Sequence, residues 1–319
     1  MTCFFFSFIK FMREHLPVLV HQVLDLLHPQ SGKCYLDGTF GAGGHTRALL
    51  EADSDCRVVA LDRDPATHPH VEKVKREFGD RFTFYDLNFS DLSQLADFGF
   101  AGALFDLGVS SMQLDSAERG FSFRLEGSID MRMDPRSGRS ANCFLSNADE
   151  SELIKAVRDY GEEPRWRRVV RAILDARGTP VLESTTRFAD LIARTVGRQG
   201  RRSGIHPATR TFQGIRIALN DEINALKSVL SCAFNKLAAK GVLAVISFHS
   251  LEDRCVKRYF KRLAGRPEHL GDHRPQDERH REAELLTRRP LRPDGEELAR
   301  NPRSRSAKLR AVRKEAIAV

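Results

Sequence analysis

Short apolar runs alternate with helix-spaced apolar positions through the first third of the chain. The apolar runs predict strands at residues 34–37, 57–62, 81–86 and 102–107. The stretches between them predict helices at 44–52, about 71–78 and 90–98, and a further helix pattern at 17–27 precedes the first strand. Alternation of strands and helices across short loops is typical of a parallel, doubly wound sheet. We therefore predict an α/β fold with a Rossmann-like sheet.

The alternation stops after Asp115. Up to about residue 206 the pattern predicts only helices, at 149–159, 164–177 and 186–197. Beyond it we expect a long helix over about 209–239 ended by Gly241, a strand at 241–248, a helix from Leu251, and edge strands within 284–288 and 307–313. The chain is therefore predicted to hold a discontinuous sheet domain, residues 13–114 and 207–319, interrupted by an all-helical domain, residues 115–206.

The first twelve residues follow neither pattern. "MTCFFFSFIKFM" is mostly apolar, but it is too short to cross a bilayer and lacks the charged start and the cleavage site of a signal peptide. We expect residues 1–12 to be a disordered or mis-assigned extension. No later segment is apolar for long enough to cross a membrane, so we expect no membrane partner, and the scattered cysteines fit the reducing conditions of a cytoplasmic protein.

The cysteine spacing and the charge distribution limit which kinds of site and partner the protein can have. The six cysteines form no Cys-x-x-Cys pair, which argues against a disulfide scaffold and a structural zinc, and no metal site is predicted. The net charge of +8 is uneven, because residues 158–216 hold 13 basic and 6 acidic residues and residues 261–319 hold 16 and 10. Such blocks suit a nucleic-acid partner, although a solvated arginine-rich surface explains them equally well.

A glycine-rich turn, "DGTFGAGG", begins at Asp37. Its glycines, Gly41, Gly43 and Gly44 among them, let the backbone approach a ligand closely. Thr46 occupies the place of the third glycine of the dinucleotide fingerprint, and no Walker lysine follows, which excludes kinases and NTPases. An acid at Asp37 would repel a pyrophosphate and attract the sulfonium and ammonium groups of S-adenosylmethionine.

Two further strand ends support a cofactor site. Asp62 ends the second strand, where an acid can accept hydrogen bonds from both ribose hydroxyls. Asn88 and Phe89, after the third strand, can contact the edge and the face of an adenine. Each acid taken alone could be a helix cap or a surface charge, but three elements at successive strand ends indicate a bound cofactor.

The fourth strand and the loop after it carry the candidate chemistry. Asp106 lies at the carboxyl end of a central strand, where open α/β sheets place their reactive groups. Ser110, Ser111 and Gln113 can orient a substrate, or can be simple turn residues. His249, after the fifth strand, can bind the acceptor or relay a proton, or be purely structural. Because these loops hold no cysteine nucleophile, as C5-methylation of a pyrimidine requires, an amino or hydroxyl acceptor is favoured.

Longer motifs resemble one known family. The segments "YLDGTFGAGGHTRALL", "FDLGVSSMQLDSAERGFSFRLEGSIDMRMDP", "HPATRTFQGIRIALNDEI", "ISFHSLEDRCVKRYF" and "NPRSRSAKLRA" together resemble the RsmH (MraW) family. These bacterial enzymes methylate N4 of a cytosine in 16S ribosomal RNA, near the decoding centre, with S-adenosylmethionine. The resemblance covers nearly everything from His15 to about Lys314. Two departures are Met112, where the family usually has proline, which could loosen the loop of Gln113, and Pro69 inside a predicted helix.

The resemblance implies a fold, a partner and residue roles. The fold would be a class I methyltransferase sheet, with the helical insertion recognising ribosomal RNA of the small subunit, either naked or in the assembled subunit. Apart from the resemblance, the residues themselves lead us to expect that Asp106, Ser110, Ser111 and His249 act on the acceptor base and that the basic residues over 300–314 hold phosphates. The oligomeric state stays open, a homodimer included. Cofactor contacts would fall on Gly43, Gly44, His45, Asp62, Phe89, Asp106 and Gln113.

Two other functions stay open at this point. An NAD-dependent dehydrogenase is disfavoured by the missing third glycine and by Asp37. A non-catalytic RNA-binding factor for ribosome assembly, with a retained cofactor site, is disfavoured by the intact glycines, Asp62 and Asp106, although the sequence does not prove turnover. Cofactor binding would separate the first from a methyltransferase, and a methyl-transfer assay would separate the second.

Overall fold

The chain forms two compact units. The computed structural model describes residues 17–197, 206–269 and 271–316, so the predicted extension at residues 1–12 lies outside the described residues. Among the described residues, one unit comprises those up to 108 and from 225 onward, and the other comprises those from 109 to 224. None of the helices in the described ranges is long and apolar enough to cross a membrane.

A seven-stranded sheet forms the centre of the first unit. Its strands are β1 (Cys34–Asp37), β2 (Arg57–Asp62), β3 (Phe82–Asp86), β4 (Phe100–Asp106), β5 (Leu237–Ser247), β6 (Ala283–Leu285) and β7 (Lys308–Lys314). They lie in the order β3-β2-β1-β4-β5-β7-β6, parallel from β3 to β5, with β7 antiparallel to both of its neighbours. The predicted doubly wound α/β fold is confirmed. The strand order reverses between β1 and β4, which is where such sheets bind ligands.

Helices of the sheet unit cover both faces of the sheet. The α-helices of the described residues are α1 (Val20–Leu27), α2 (Gly44–Ala52), α3 (His68–Phe78), α4 (Ser111–Asp115), α5 (Ala141–Asn147), α6 (Glu150–Ile154), α7 (Trp166–Asp175), α8 (Thr185–Val196), α9 (Thr209–Asn220), α10 (Glu222–Asn235), α11 (Ser250–Leu263) and α12 (Gly295–Arg300). Successive residues of a strand point to opposite faces. Leu243 and Val245 accordingly join the apolar cluster of α10 and α11, whereas Ala244 and Ile246 join that of α1 to α3.

Three local predictions need correction. The helix predicted over 209–239 is two helices, because Asp221 takes a left-handed conformation with φ 49°, and α10 ends at Asn235. Gly241 does not end it. It lies inside β5 at a bulge, where a Cβ would come within 2.8 Å of the Phe100 carbonyl oxygen. The helix predicted at 90–98 is a short 3₁₀ segment, Phe89–Gln94.

Pro69 does not break α3. It occupies the first turn of that helix, where the missing backbone N–H has no intrahelical partner to lose. Pro69 therefore lies where the helix begins, next to His68. It leaves the buried face of the helix, with Val71 and Val74, intact.

The second unit is helical and has its own apolar core. Its described residues contain no strand, only an isolated bridge between Ser128 and Ser184. A π-helical turn, Lys155–Tyr160, continues α6 and packs closely on α9, where a Cβ on Gly214 would lie 2.1 Å from the Ala156 carbonyl oxygen. Close backbone packing at this point therefore requires glycine.

The helical unit begins and ends elsewhere than predicted. It runs from Val109 to Asn224 and not from 115 to 206. Val109 and Leu114 pack on its core at the start, and Phe212 and Ile215 of α9 belong to that core at the end. The pattern of polar and apolar residues in these two segments does not reveal that they belong to the helical unit, because their apolar contacts are with residues far away in sequence. Ser110, Ser111 and Gln113 therefore belong to the helical unit.

Candidate cofactor site

Asp37, the last residue of β1, organises the glycine turn. Its side chain is fully buried, Oδ1 accepts a hydrogen bond from the N–H of Thr39 at 3.1 Å, and Oδ2 accepts one from the Thr46 hydroxyl at 2.7 Å. Burial raises the pKa of Asp37. Since both oxygens already bond to the turn, Asp37 shapes the site from within, and its contact with a ligand stays a prediction.

The turn itself depends on two glycines with positive φ. Gly41 has φ 54° and Gly43 has φ 80°, a region that other residues rarely adopt. A Cβ on Gly43 would also lie 2.8 Å from the Phe40 ring. Gly44 then begins α2. The predicted tight turn that leads into a helix is therefore present.

Asp62, the last residue of β2, ties the turn to the neighbouring strand. Oδ2 accepts from the N–H of Gly41 at 2.8 Å, and Oδ1 accepts from the N–H of Asp64 at 2.9 Å. Burial nevertheless raises the pKa of Asp62 to about 6, and the two backbone donors offset this only in part. A ligand that donates hydrogen bonds to this carboxylate would stabilise its charged form.

Asp106 and His45 meet at the switch point of the sheet. Asp106 is the last residue of β4, and its Oδ2 lies 3.4 Å from Nε2 of His45 in the first turn of α2. Neither ring nitrogen of His45 nor Oδ1 of Asp106 has a hydrogen-bond partner among the residues described, although all three atoms are buried. Buried polar atoms without partners are uncommon in folded proteins and costly. A bound ligand at this edge would supply the missing partners.

Thr39 is a site residue that the sequence interpretation missed. Its hydroxyl accepts a hydrogen bond of 2.6 Å from the backbone N–H of Asp106, and its own N–H donates to Asp37. It thereby links the ends of β1 and β4. The available signal was a hydroxyl residue two places after a strand-end acid, which is common at turns and therefore weak.

The segment after β3 lies beside Asp62. The N–H of Leu87 donates to the Asp62 carbonyl oxygen at 3.1 Å. Asn88 caps the following 3₁₀ segment by accepting from the N–H of Ser90, and the half-buried Phe89 ring packs edge-on against Phe105 at 6.1 Å. Asn88 thus has a structural role, while the adenine contact of Phe89 stays a prediction.

Ser110 and Gln113 form a capping box at α4. The Ser110 hydroxyl accepts from the N–H of Gln113 at 3.2 Å, and Oε1 of Gln113 accepts from the N–H of Ser110 at 3.0 Å. Ser111 is the first residue of this helix. The reciprocal bonds fix the loop although Met112 stands where the family usually has proline. The substrate and cofactor roles of these residues stay predictions.

His249 caps α11. Its Nδ1 accepts from the N–H of Glu252 at 3.4 Å, and its Nε2 lies 3.0 Å from the Glu252 carboxylate, which in turn accepts from the N–H of Phe248. The side chain is 7% exposed. This arrangement supports the structural interpretation of His249, and its role in catalysis stays a prediction.

Much of the basic run over 300–314 is committed to the fold. Lys308 and Arg310 of β7 both pair with Asp253, at 3.1 and 2.7 Å, and Arg313 pairs with Glu284 at 3.1 Å. These cations belong to a strand inside the sheet and not to a tail. Their neutralisation reduces what they can contribute to binding phosphates.

The switch point, the glycine turn and the strand-end acids define an α/β enzyme with a nucleotide-like cofactor. A model described as the MraW methylase family matches residues 12–315. The chain belongs to the MraW methylase family. This membership confirms the predicted family, the methyltransferase activity class and S-adenosylmethionine as cofactor, and it excludes the dehydrogenase.

Curated relatives match almost the whole chain. A protein of Thermomicrobium roseum is 45% identical over 310 residues, 93% of each chain, and one of Heliobacterium modesticaldum is 44% identical over 315 residues, 94% of this chain and 98% of its own. Both are named ribosomal RNA small subunit methyltransferase H. A solved rRNA methylase of Streptococcus thermophilus is similar at 10% identity and TM-score 0.44, covering 95% of this chain and 99% of its own.

Proposed function

We propose that the protein transfers the methyl group of S-adenosylmethionine to N4 of one cytosine in small-subunit ribosomal RNA, near the decoding centre. The observation that carries the proposal is the pair of the buried His45 and the half-buried Asp106, whose buried polar atoms lack partners, at the switch point of a methylase sheet. The relatives' name supports RNA of the small subunit as the substrate class.

The residues of the site fit this cofactor. S-adenosylmethionine supplies an electrophilic methyl group on a positively charged sulfur. The Gly41–Gly43 turn would cradle it, and the Asp62 carboxylate would accept from its ribose hydroxyls. The unpartnered atoms of His45 and Asp106 would bind polar groups of the cofactor. The carboxylates at the ends of the strands would attract its positively charged sulfonium and ammonium groups.

Asp106 would also prepare the acceptor. The exocyclic amine of cytosine is a weak nucleophile, because its lone pair is delocalised into the ring. A carboxylate that accepts a hydrogen bond from this amine holds it in line for attack and takes up the positive charge that develops as the N–C bond forms. Ser110 and Ser111 would orient the base. The base must leave its stack to react, so single-stranded or looped RNA is the expected form.

The helical unit would bind the RNA. Two guanidinium groups lie near the Trp166 ring, with Arg158 at 5.4 Å and Arg167 at 4.3 Å from the ring centroid. Arg168 and Arg171 are exposed on the same helix, α7, and Arg171 has 85% of its side chain accessible. Arginines beside an aromatic ring suit phosphates and unstacked bases.

Methyl transfer from labelled cofactor tests the proposal. The protein is incubated with small ribosomal subunits and, in parallel, with deproteinised RNA, and the nucleosides are identified by mass spectrometry. One N4-methylcytosine per RNA is expected, and the better substrate shows what is recognised. Label on another atom or base would overturn the N4 assignment. No label in either substrate, despite measured cofactor binding, would favour the assembly factor.

A further inference from the structure

A small basic cavity lies in the sheet unit, away from the cofactor turn. It has a volume of about 60 Å³ and is lined by Lys257 and Lys261 of α11, Arg266 after that helix, Arg288 after β6, and Arg310 of β7. One water molecule needs only about 10–15 Å³ of cavity volume, so this cavity can hold a group larger than a water. Within this unit β6 and β7 form the sheet edge opposite β3, whereas the glycine turn belongs to β1.

The positive charge of the cavity is largely unmatched. Lys257, Lys261, Arg266 and Arg288 have no ion pair within the described ranges, whereas Arg310 pairs with Asp253. This contrasts with the rest of the C-terminal basic segment, where most cations of β7 are neutralised. Like charges around one small space repel each other, so an anion placed among them is stabilised by each of them.

Arg310 and Thr287 give the cavity fixed polar groups. Both are largely buried, at 8% and 7% exposure, and both line the space. The Thr287 hydroxyl accepts from the N–H of Ala311 at 3.0 Å, which orients it and leaves its own proton to donate. A buried guanidinium and a hydroxyl, together with lysine ammonium groups, are donors that proteins use for phosphate.

We propose that this cavity binds a phosphate group, from the RNA backbone or from a free phosphate compound. The RNA source rests on the proposed function and would give the substrate a second anchor, besides the helical unit. Arg310 pairs in register with Val245, two residues before the carboxyl end of β5, and β5 lies between β7 and the strand that carries Asp106.

The test compares two double variants of the full-length protein. Lys257→Gln with Arg288→Gln removes two exposed charges of the cavity, and Lys33→Gln with Lys75→Gln removes two exposed charges elsewhere in the same unit. RNA affinity is measured by fluorescence anisotropy from 50 to 200 mM salt. Loss of one phosphate contact lowers the slope of log affinity against log salt by about 0.7 to 0.9 and weakens binding about fivefold near 100 mM. The control pair should change neither.

A second arm separates the sources. Inorganic phosphate is titrated into both double variants and the unmodified protein by NMR, following the amide signals of Thr287 and Arg310, two lining residues that every variant keeps. Shifts that are lost only in the cavity variant support the site even if the RNA slope does not change, and they identify a free phosphate compound as its ligand. An unchanged slope together with absent or unaltered phosphate shifts overturns the proposal.

The two proposals fail separately. A protein that loses salt slope in the cavity variant but methylates no RNA would refute the proposed function and leave the anion site standing. A protein that methylates RNA, but whose salt slope and phosphate-induced NMR shifts are the same in every variant, would support the proposed function and refute the anion site. Unaltered cofactor affinity in the cavity variant shows that the sheet unit is folded.

Discussion

Replacement of Asp62 by asparagine should weaken cofactor binding and remove its dependence on pH. The carboxylate accepts one backbone N–H on each oxygen, from Gly41 and from Asp64. An asparagine has a single acceptor oxygen, so its amide N–H would face one of these donors. Losing a charged acceptor for a ribose hydroxyl costs about 1.5–3 kcal/mol, or roughly 10- to 150-fold in Kd.

The pH dependence follows from the raised pKa of Asp62. With a pKa of about 6 in the free protein, nine-tenths of this carboxyl is protonated at pH 5, and the Kd should be roughly tenfold higher there than at pH 7.5. The sign is that binding is strong above pH 6 and lost as the pH falls through it. By the same linkage, the unliganded protein loses stability as the pH rises from about 4 to about 6, because a buried charge forms.

Calorimetric titration with S-adenosylhomocysteine between pH 5 and 7.5 measures both effects. Asp86→Asn is the control, because Asp86 ends β3 in register with Asp62 but its side chain is 34% exposed. It should leave the affinity and its pH dependence nearly unchanged. A Kd of the unmodified protein that is flat across this range, or an Asp62→Asn variant that keeps the tenfold change, would refute the reasoning.

Three further substitutions test the site. Asp106→Ala should abolish methyl transfer in a folded protein, as judged by circular dichroism, and a near-normal rate at saturating cofactor would contradict its role. Thr39→Val leaves the N–H of Asp106 without its acceptor and should cost about 1–3 kcal/mol in urea denaturation, whereas Thr39→Ser should cost much less; equal losses would argue against the hydrogen bond. Gly43→Ala should lower the melting temperature more than Gly79→Ala, because both have positive φ but only Gly43 would meet the Phe40 ring; equal shifts would show that the clash relaxes.

Elements whose signal is local were predicted to the residue. The bounds of β1, β2 and α2 agree with the sequence pattern, because alternation, a glycine turn and a helix-spaced apolar face all lie within a few residues of each other. Asp62 and Asp106 could be found for the same reason, since each ends a recognisable strand. Family membership could be inferred from the long motifs alone.

Features that depend on distant partners could not be predicted. Gly241 is typical of a helix end, and only its pairing with β4 reveals a bulge. Thr39 gains its role from Asp106, 67 residues away. From sequence alone, the basic residues of β7 were expected to be free to bind phosphates. Their pairing with Asp253 and Glu284 could not be predicted, because it depends on where α11 and β6 pack. Charge along a sequence does not reveal which charges are already neutralised.

The position of β7 has a consequence for how the protein is made. This strand is the last of the seven in the sequence, yet it inserts between β5 and β6, and Leu309, Ala311 and Val312 are fully buried. Until it is synthesised, β5 has an open edge of the kind that promotes aggregation. The helical unit is contiguous in sequence and is complete much earlier. We therefore expect biosynthesis to yield a folded helical unit before the seven-stranded sheet is complete.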